Sequence, residues 1–160
     1  MPYLIDGYNL LWALDHATDD HHSINDAQLC NAISKFLALI NDTGEIIFDG
    51  IGPPDKTPFE NLHKLEVIFS GTRTDADTVI EDKIETCTAP KRLTVVSSDN
   101  RIRKAARARK AVSLKSDVFW NKLSVQIKRP RPASSEPPQK RKGLSHSETD
   151  HWMDIFGIDQ

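Results

Sequence analysis

Apolar residues along the chain follow two alternating patterns. Short, nearly unbroken runs stand at Tyr3-Leu4-Ile5, Glu45 to Phe48, Leu65 to Phe69 and Leu93 to Val96, each bounded by turn-forming or polar residues; a weaker fifth runs from Ala111 to Leu114. Runs of this length predict strands buried on both faces of a parallel sheet. Between them, apolar positions recur at three and four: Ala27, Cys30, Ile33, Phe36, Leu37 and Ile40, then Ala76, Val79, Ile80 and Ile84. That is the period of a helix with one face on a core. Asn25-Asp26 reads as the cap of the first helix, and Thr74-Asp75-Ala76-Asp77 as the acidic start of the second, with Thr74 and Asp77 forming a near-capping box. Residues 101–110 predict a third helix, and Ser116 the cap of a fourth carrying Val118, Phe119, Trp120 and Leu123. Strands alternating with helices predict an α/β fold around a central, mostly parallel sheet of about five strands.

The pattern stops after Ile127. Residues 128–143 hold Pro130, Pro132, Pro137 and Pro138, six basic residues and no large apolar side chain, the composition of a linker. Ser145-His146-Ser147-Glu148 then precedes Trp152, Met153, Ile155 and Phe156, with Gly157 as a stop: a capped amphipathic helix too short to stand alone. The expected organisation is therefore a folded domain over 1–127, a basic linker over 128–143 and a docking helix over 144–160. The helix is expected to seat on the body or to recruit a protein partner.

With 160 residues the chain has room for one domain and a modest appendage. No apolar run approaches the ~20 residues of a membrane span, and Met1-Pro2-Tyr3 does not begin a secretory signal. Cys30 and Cys87 form no C-x-x-C, which argues against a disulfide scaffold or a thiolate zinc site. A cytoplasmic protein without membrane contact is expected. The net charge of −2 hides a segregation: residues 1–90 carry −11, residues 91–143 carry +13 and residues 144–160 carry −4. An acidic half followed by a basic one suggests a cation site beside a polyanion site.

The carboxylates locate the cation site. Parallel α/β sheets place ligands outside the carboxyl ends of their strands. Asp6 follows the first strand, Asp49 the second, Asp75 and Asp77 open the helix after the third, and Asp99 follows the fourth. Like charges crowded on one edge are unfavourable unless a cation compensates. Mg²⁺ or Mn²⁺ suits such hard oxygens, because neither His nor Cys recurs at these positions. Helical angles place Asp77 nearer than Asp75 to the Ala76-Ile80-Ile84 stripe, so Asp77 is the inward member. Asp49 reads either as an outer ligand or as a strand end hydrogen-bonding Gly50 to Gly52, and Glu81 as a solvated neighbour or a helper through a water. A carboxylate-held divalent ion suits phosphodiester hydrolysis. Arg101, Arg103, Lys104, Arg107, Arg109 and Lys110 follow Asp99 at once and supply phosphate contacts to a nucleic-acid strand. Ser97 and Ser98 are able to orient a phosphate, or simply cap the next helix. His16, His21 and His22 read as a solvated polar loop rather than ligands; Tyr8 and Trp12 are the nearest candidates for stacking on bases, with core packing the favoured role of Trp12.

Four blocks in order carry a family resemblance: Leu4-Ile5-Asp6-Gly7-Tyr8-Asn9-Leu10-Leu11; Ile47-Phe48-Asp49-Gly50; Val67-Ile68-Phe69-Ser70-Gly71 with Ala76-Asp77-Thr78-Val79-Ile80-Glu81; and Val95-Val96-Ser97-Ser98-Asp99. From about Tyr3 to Trp120 the chain resembles the NYN domain of the YacP-like type, within the PIN-like nuclease group. The resemblance implies a three-layer sandwich and a metal-dependent endoribonuclease acting on RNA. In it Asp6, Asp77 and Asp99 hold the metal and Asn9 lines the site. Two other readings compete: an RNA-binding module without catalysis, and a phosphoacceptor receiver domain using Asp49, a Ser97 or Ser98 switch and Lys115. The second fits poorly, since a receiver wants an acidic pair after its first strand.

Overall fold

The computed structural model describes residues 2–17 and 24–128. Along them run β1 (Tyr3–Asp6), α1 (Gly7–Ala17), α2 (Asp26–Ile40), β2 (Gly44–Phe48), β3 (Leu65–Phe69), α3 (Ala76–Thr86), β4 (Thr94–Val96), α4 (Asn100–Ala108), β5 (Val112–Leu114) and α5 (Ser116–Lys128). The expected linker and docking helix, His21, His22 and the acidic pair Asp19-Asp20 lie outside the described residues.

All four strand ladders are parallel, and the spatial order is β3-β2-β1-β4-β5. Alternation along each strand decides which side chain meets which layer. Tyr3, Ile5, Ile46, Phe48 and Val96 face one side and pack with Leu10, Ile33, Phe36, Phe119 and other residues of α1, α2 and α5. Leu4, Ile47 and Val95 face the other and pack with Ile80 and Ile84 of α3 and Ile102 and Ala106 of α4. A sheet covered on both faces explains why its strands read as runs rather than as alternating patterns. It also aims the residue after Ile5: Asp6 falls on the Leu4 side, toward α3 and α4.

Local chemistry fixes the ends. The Asn25 side chain accepts from the Gln28 N–H at 2.8 Å, while the Gln28 side chain accepts from the Asn25 N–H at 2.9 Å, a full capping box for α2. Asn41 ends the same helix at φ 56°, a left-handed position that asparagine tolerates.

Four expectations change. Helix α1 starts directly at Gly7, where Asp, Gly and Asn read locally as a turn, so His16 belongs to a helix and not to a loop. Trp12 is 62% exposed on that helix instead of buried. Asp75, not Thr74, caps α3, its carboxylate accepting the Thr78 N–H at 2.7 Å. Ser116 is the first residue of α5, and its buried hydroxyl donates to Asn9 Oδ1 at 2.7 Å instead of capping the helix. The receiver reading fails on topology, since receiver sheets run 2-1-3-4-5 and this one runs 3-2-1-4-5.

Candidate active site

The chain leaves β1 toward β2 on one side and later places β4 on the other, so the crevice outside the carboxyl ends of β1 and β4 is the point where strand order reverses. Asp6 ends β1 there and is 7% exposed. Its Oδ2 accepts the hydroxyl of Ser97, itself fully buried, at 3.1 Å. Ser97 Oγ in turn accepts the Asp99 N–H at 3.1 Å. One hydroxyl therefore ties the end of β1 to the turn after β4. Asp99 caps α4, Oδ1 accepting the Arg101 N–H at 2.8 Å. Asp77 sits in the first turn of α3, on the same side of the sheet. With Asp75 taking the cap, Asp77 is released from that duty.

The three carboxyls feel one another's charge. Burial pushes the Asp6 carboxyl up to about 6, opposed by the Ser97 hydrogen bond and the Asn9 backbone N–H, with further upward pressure from Asp77 and Asp99. Asp77 is raised too, by burial first and then by the charge of Asp99, with Arg101 pulling the other way. Asp75, outside the crevice, is held below the usual range by hydrogen bonds from Thr78. Among the described residues, no three His, Cys, Asp or Glu side chains are gathered as closely as one ion would need. The donor chemistry nonetheless fits a hard divalent cation: oxygens only, from three elements, around one crevice.

Around this centre the structure sorts the other candidates. Asp49, exposed at the end of β2, accepts the Ala76 N–H at 3.1 Å and the Ser70 hydroxyl at 3.3 Å, steadying the start of α3. Asn9 Oδ1 accepts both the Ser98 N–H at 2.9 Å and the Ser116 hydroxyl, while Ser98 Oγ accepts the Ser116 N–H at 3.1 Å. This brace joins α1, α5 and the end of β4. Ser97 Oγ thus both donates and accepts within the protein, while Ser98 Oγ accepts one bond and keeps its own proton to donate. Glu81 meets Arg101 in a two-point ion pair, Arg101 Nη2 donating to Glu81 Oε2 at 3.2 Å, so Arg101 bridges α4 to α3 beside Asp77. On α4, Ile102 and Ala106 face the core. Arg103 is half-buried, leaving Arg101, Lys104 and Arg107 as the exposed basic face.

A cavity of about 570 Å³ opens at the opposite, amino-terminal edge of the sheet, lined by Tyr3, Gly44, Lys64 and Thr86 among others. Its charged groups include the Lys83–Glu45 ion pair at 3.0 Å. No carboxylate of the crevice lines it. Among the described residues no helix is long and apolar enough to cross a membrane.

The sequence profile of the YacP-like NYN domain matches residues 3–156. The match continues through the basic and C-terminal segments, past Trp120, where the motif resemblance stops. The fold is shared with the crystal structure of Rae1 (YacP) from Bacillus subtilis, at TM-score 0.65 and 17% identity over 98% of this chain and 88% of that one. A mutant of the same protein superposes at TM-score 0.62 and 18% identity over 99% and 92%. No curated protein matches the chain. With sheet order, carboxylate edge and sequence profile in agreement, the chain belongs to the YacP-like NYN domain family, whose members are generally nucleases acting on RNA.

Proposed function

We propose that this chain is an endoribonuclease that hydrolyses RNA phosphodiester bonds with Mg²⁺ or Mn²⁺ held by Asp6, Asp77 and Asp99, and that it works in the cytoplasm. One observation carries the reading: a buried carboxylate at the strand-order reversal, pushed up to about 6 by burial and by two further aspartates. A structural aspartate in that position would have a basic partner. Asp6 has a hydroxyl, a backbone N–H and like charges, an arrangement that favours a bound cation.

Bound there, the ion would neutralise charge at the scissile phosphate and lower the pKa of a water. The chain's own part is positional. Ser97 and the Asn9 N–H fix the rotamer of Asp6, and Ser97 couples it to the backbone of Asp99. Helices α1, α3 and α4 all begin at this edge, so their N-termini add partial positive charge toward an incoming phosphate. Arg101, Lys104 and Arg107 hold neighbouring phosphates without reading bases. Asp49 supports from the outside by fixing the first turn of α3, and with it Asp77. Asn9 acts in the same way, through its brace to Ser98 and Ser116.

Incubating the purified full chain with RNA and Mn²⁺, with and without EDTA, tests the reading. Cleavage should appear with Mn²⁺, vanish with EDTA, and fall at least ~100-fold in Asp6→Asn, Asp77→Asn and Asp99→Asn. EDTA-resistant cleavage would contradict the metal. RNA binding with no cleavage under any condition would establish the silent binding module instead.

A further inference from the structure

Helix α1 buries Leu10 and Leu14 but shows solvent a second, aromatic face. Tyr8, Trp12 and His16 follow one another at intervals of four, so they form one stripe, rising about 6 Å per step and lying roughly opposite the buried leucines. Trp12 is 62% exposed and Tyr8 42%. The stripe is built rather than loose. The His16 ring stacks on Trp12 with centroids 4.0 Å apart and planes 28° from parallel. Its Nδ1 sits 2.8 Å from the Trp12 carbonyl oxygen, which only accepts, so Nδ1 carries the proton and the imidazole is pinned to the helix. Tyr8 leans edge-on against Phe48 at 5.1 Å.

We propose that this stripe is a stacking platform for the bases of single-stranded RNA, with Trp12 its principal surface and Tyr8 the end nearest the carboxylates. The proposal deepens the ribonuclease reading above and rests on it. The occupant follows from position and charge. Tyr8 is two residues from Asp6 and packs on Phe48, the last residue of β2, so the stripe begins at the same carboxyl-terminal sheet edge as the crevice. Asn9, the next residue, is bonded to Ser98 and Ser116, which fixes the first turn of α1 to the floor of the site. The stripe itself offers no fixed cation, and the exposed Asp15 flanks it, so α1 is unsuited to hold phosphates. The basic face of α4 stands on the other layer, across the strand-order reversal. A strand lying through the crevice would then have bases on α1 and backbone toward Lys104 and Arg107. Every base has a π-face, so the platform is indifferent to sequence. A duplex, with its bases already stacked, has no free face to offer.

The test uses the full chain in EDTA with labelled 2′-O-methyl oligouridine, its oligoadenosine counterpart and the duplex of the two, followed by anisotropy. Trp12→Ala and Trp12→Leu should weaken binding of both single strands about tenfold, while Trp12→Phe retains most of the affinity. The weaker duplex binding should be the same in all variants, and melting temperatures should match the parent because Trp12 is exposed. Single-strand binding unchanged in Trp12→Ala, or equal in the Leu and Phe variants, would overturn the platform and leave the ribonuclease reading standing. Unchanged binding with a lowered melting temperature would also overturn it, assigning the stripe to contact within the chain. No single-strand binding by the parent protein in EDTA would overturn the platform, while the ribonuclease reading stands or falls on the Mn²⁺ cleavage assay above.

Discussion

Asp6 concentrates the energetics of the site in a single side chain. In the folded protein without a cation it titrates near 6, against 3.8 for an ordinary aspartate. The folded state thus binds this proton more tightly than the unfolded chain does, so stability falls as pH rises between those values and stays low above them. The difference corresponds to about 3 kcal/mol at neutral pH. Asp6→Asn should therefore be more stable than the parent in EDTA at pH 8, by up to about 3 kcal/mol, with the gain fading as pH falls through 6 toward 4. Urea unfolding across that range checks it; a variant less stable at pH 8 would show that the carboxylate is compensated within the protein. Asp6, Asp77 and Asp99 could be picked out as candidates from the sequence because each stands beside a strand end or in a first helical turn. Ser97 and Asn9 were not legible as braces. Their partners lie 91 and 107 positions away in sequence, and no local pattern records such a contact.

Among the elements, α1 and α3 show what a local pattern conceals. The strands were readable because a doubly covered sheet wants unbroken apolar runs. Helix α1 was not, because Asp, Gly and Asn are turn formers and glycine is a poor helix residue. Packing explains the glycine: a Cβ on Gly7 would stand 2.4 Å from the ring of Phe48, which is fully buried, and 3.0 Å from the Ile47 carbonyl. Gly7→Ala gains up to about 1 kcal/mol of helix propensity but overpacks a ring with nowhere to move, a cost of about 1–3 kcal/mol. Net destabilisation in urea melts, with weakened cleavage, is expected; a stabilised variant would mean that β1 and α1 can separate freely. Helix α3 separates two neighbouring aspartates. Asp75→Ala should cost about 1 kcal/mol of stability through the lost cap while cleavage persists. Asp77→Asn should abolish cleavage with the fold intact. Thermal melts and activity on the same preparations decide, and a reversal of the two outcomes would place Asp75 in the site.

For the molecule as a whole, a parallel sheet was foreseeable but its strand order was not, since order depends on where each crossover returns. That order places the reversal between β1 and β4, and so gathers the acidic half of the chain against the first basic helix of the second half. The charge segregation visible in the sequence thereby becomes a carboxylate crevice with a basic wall. Reversing that wall with Lys104→Glu and Arg107→Glu should weaken binding of unrelated RNA sequences by similar factors and flatten its salt dependence. Loss confined to one sequence, read by anisotropy across a salt series, would mean base contacts instead. Arg103 stands beside that wall with its side chain half-buried. The central claim remains that the switch-point aspartates form a divalent-cation site, and direct Mn²⁺ binding to the RNA-free protein tests it best. Titration at pH 7.5, followed by calorimetry, should show binding in the parent that is lost or severely weakened in Asp6→Asn. Binding unchanged by that substitution, or none in the parent, would contradict the account.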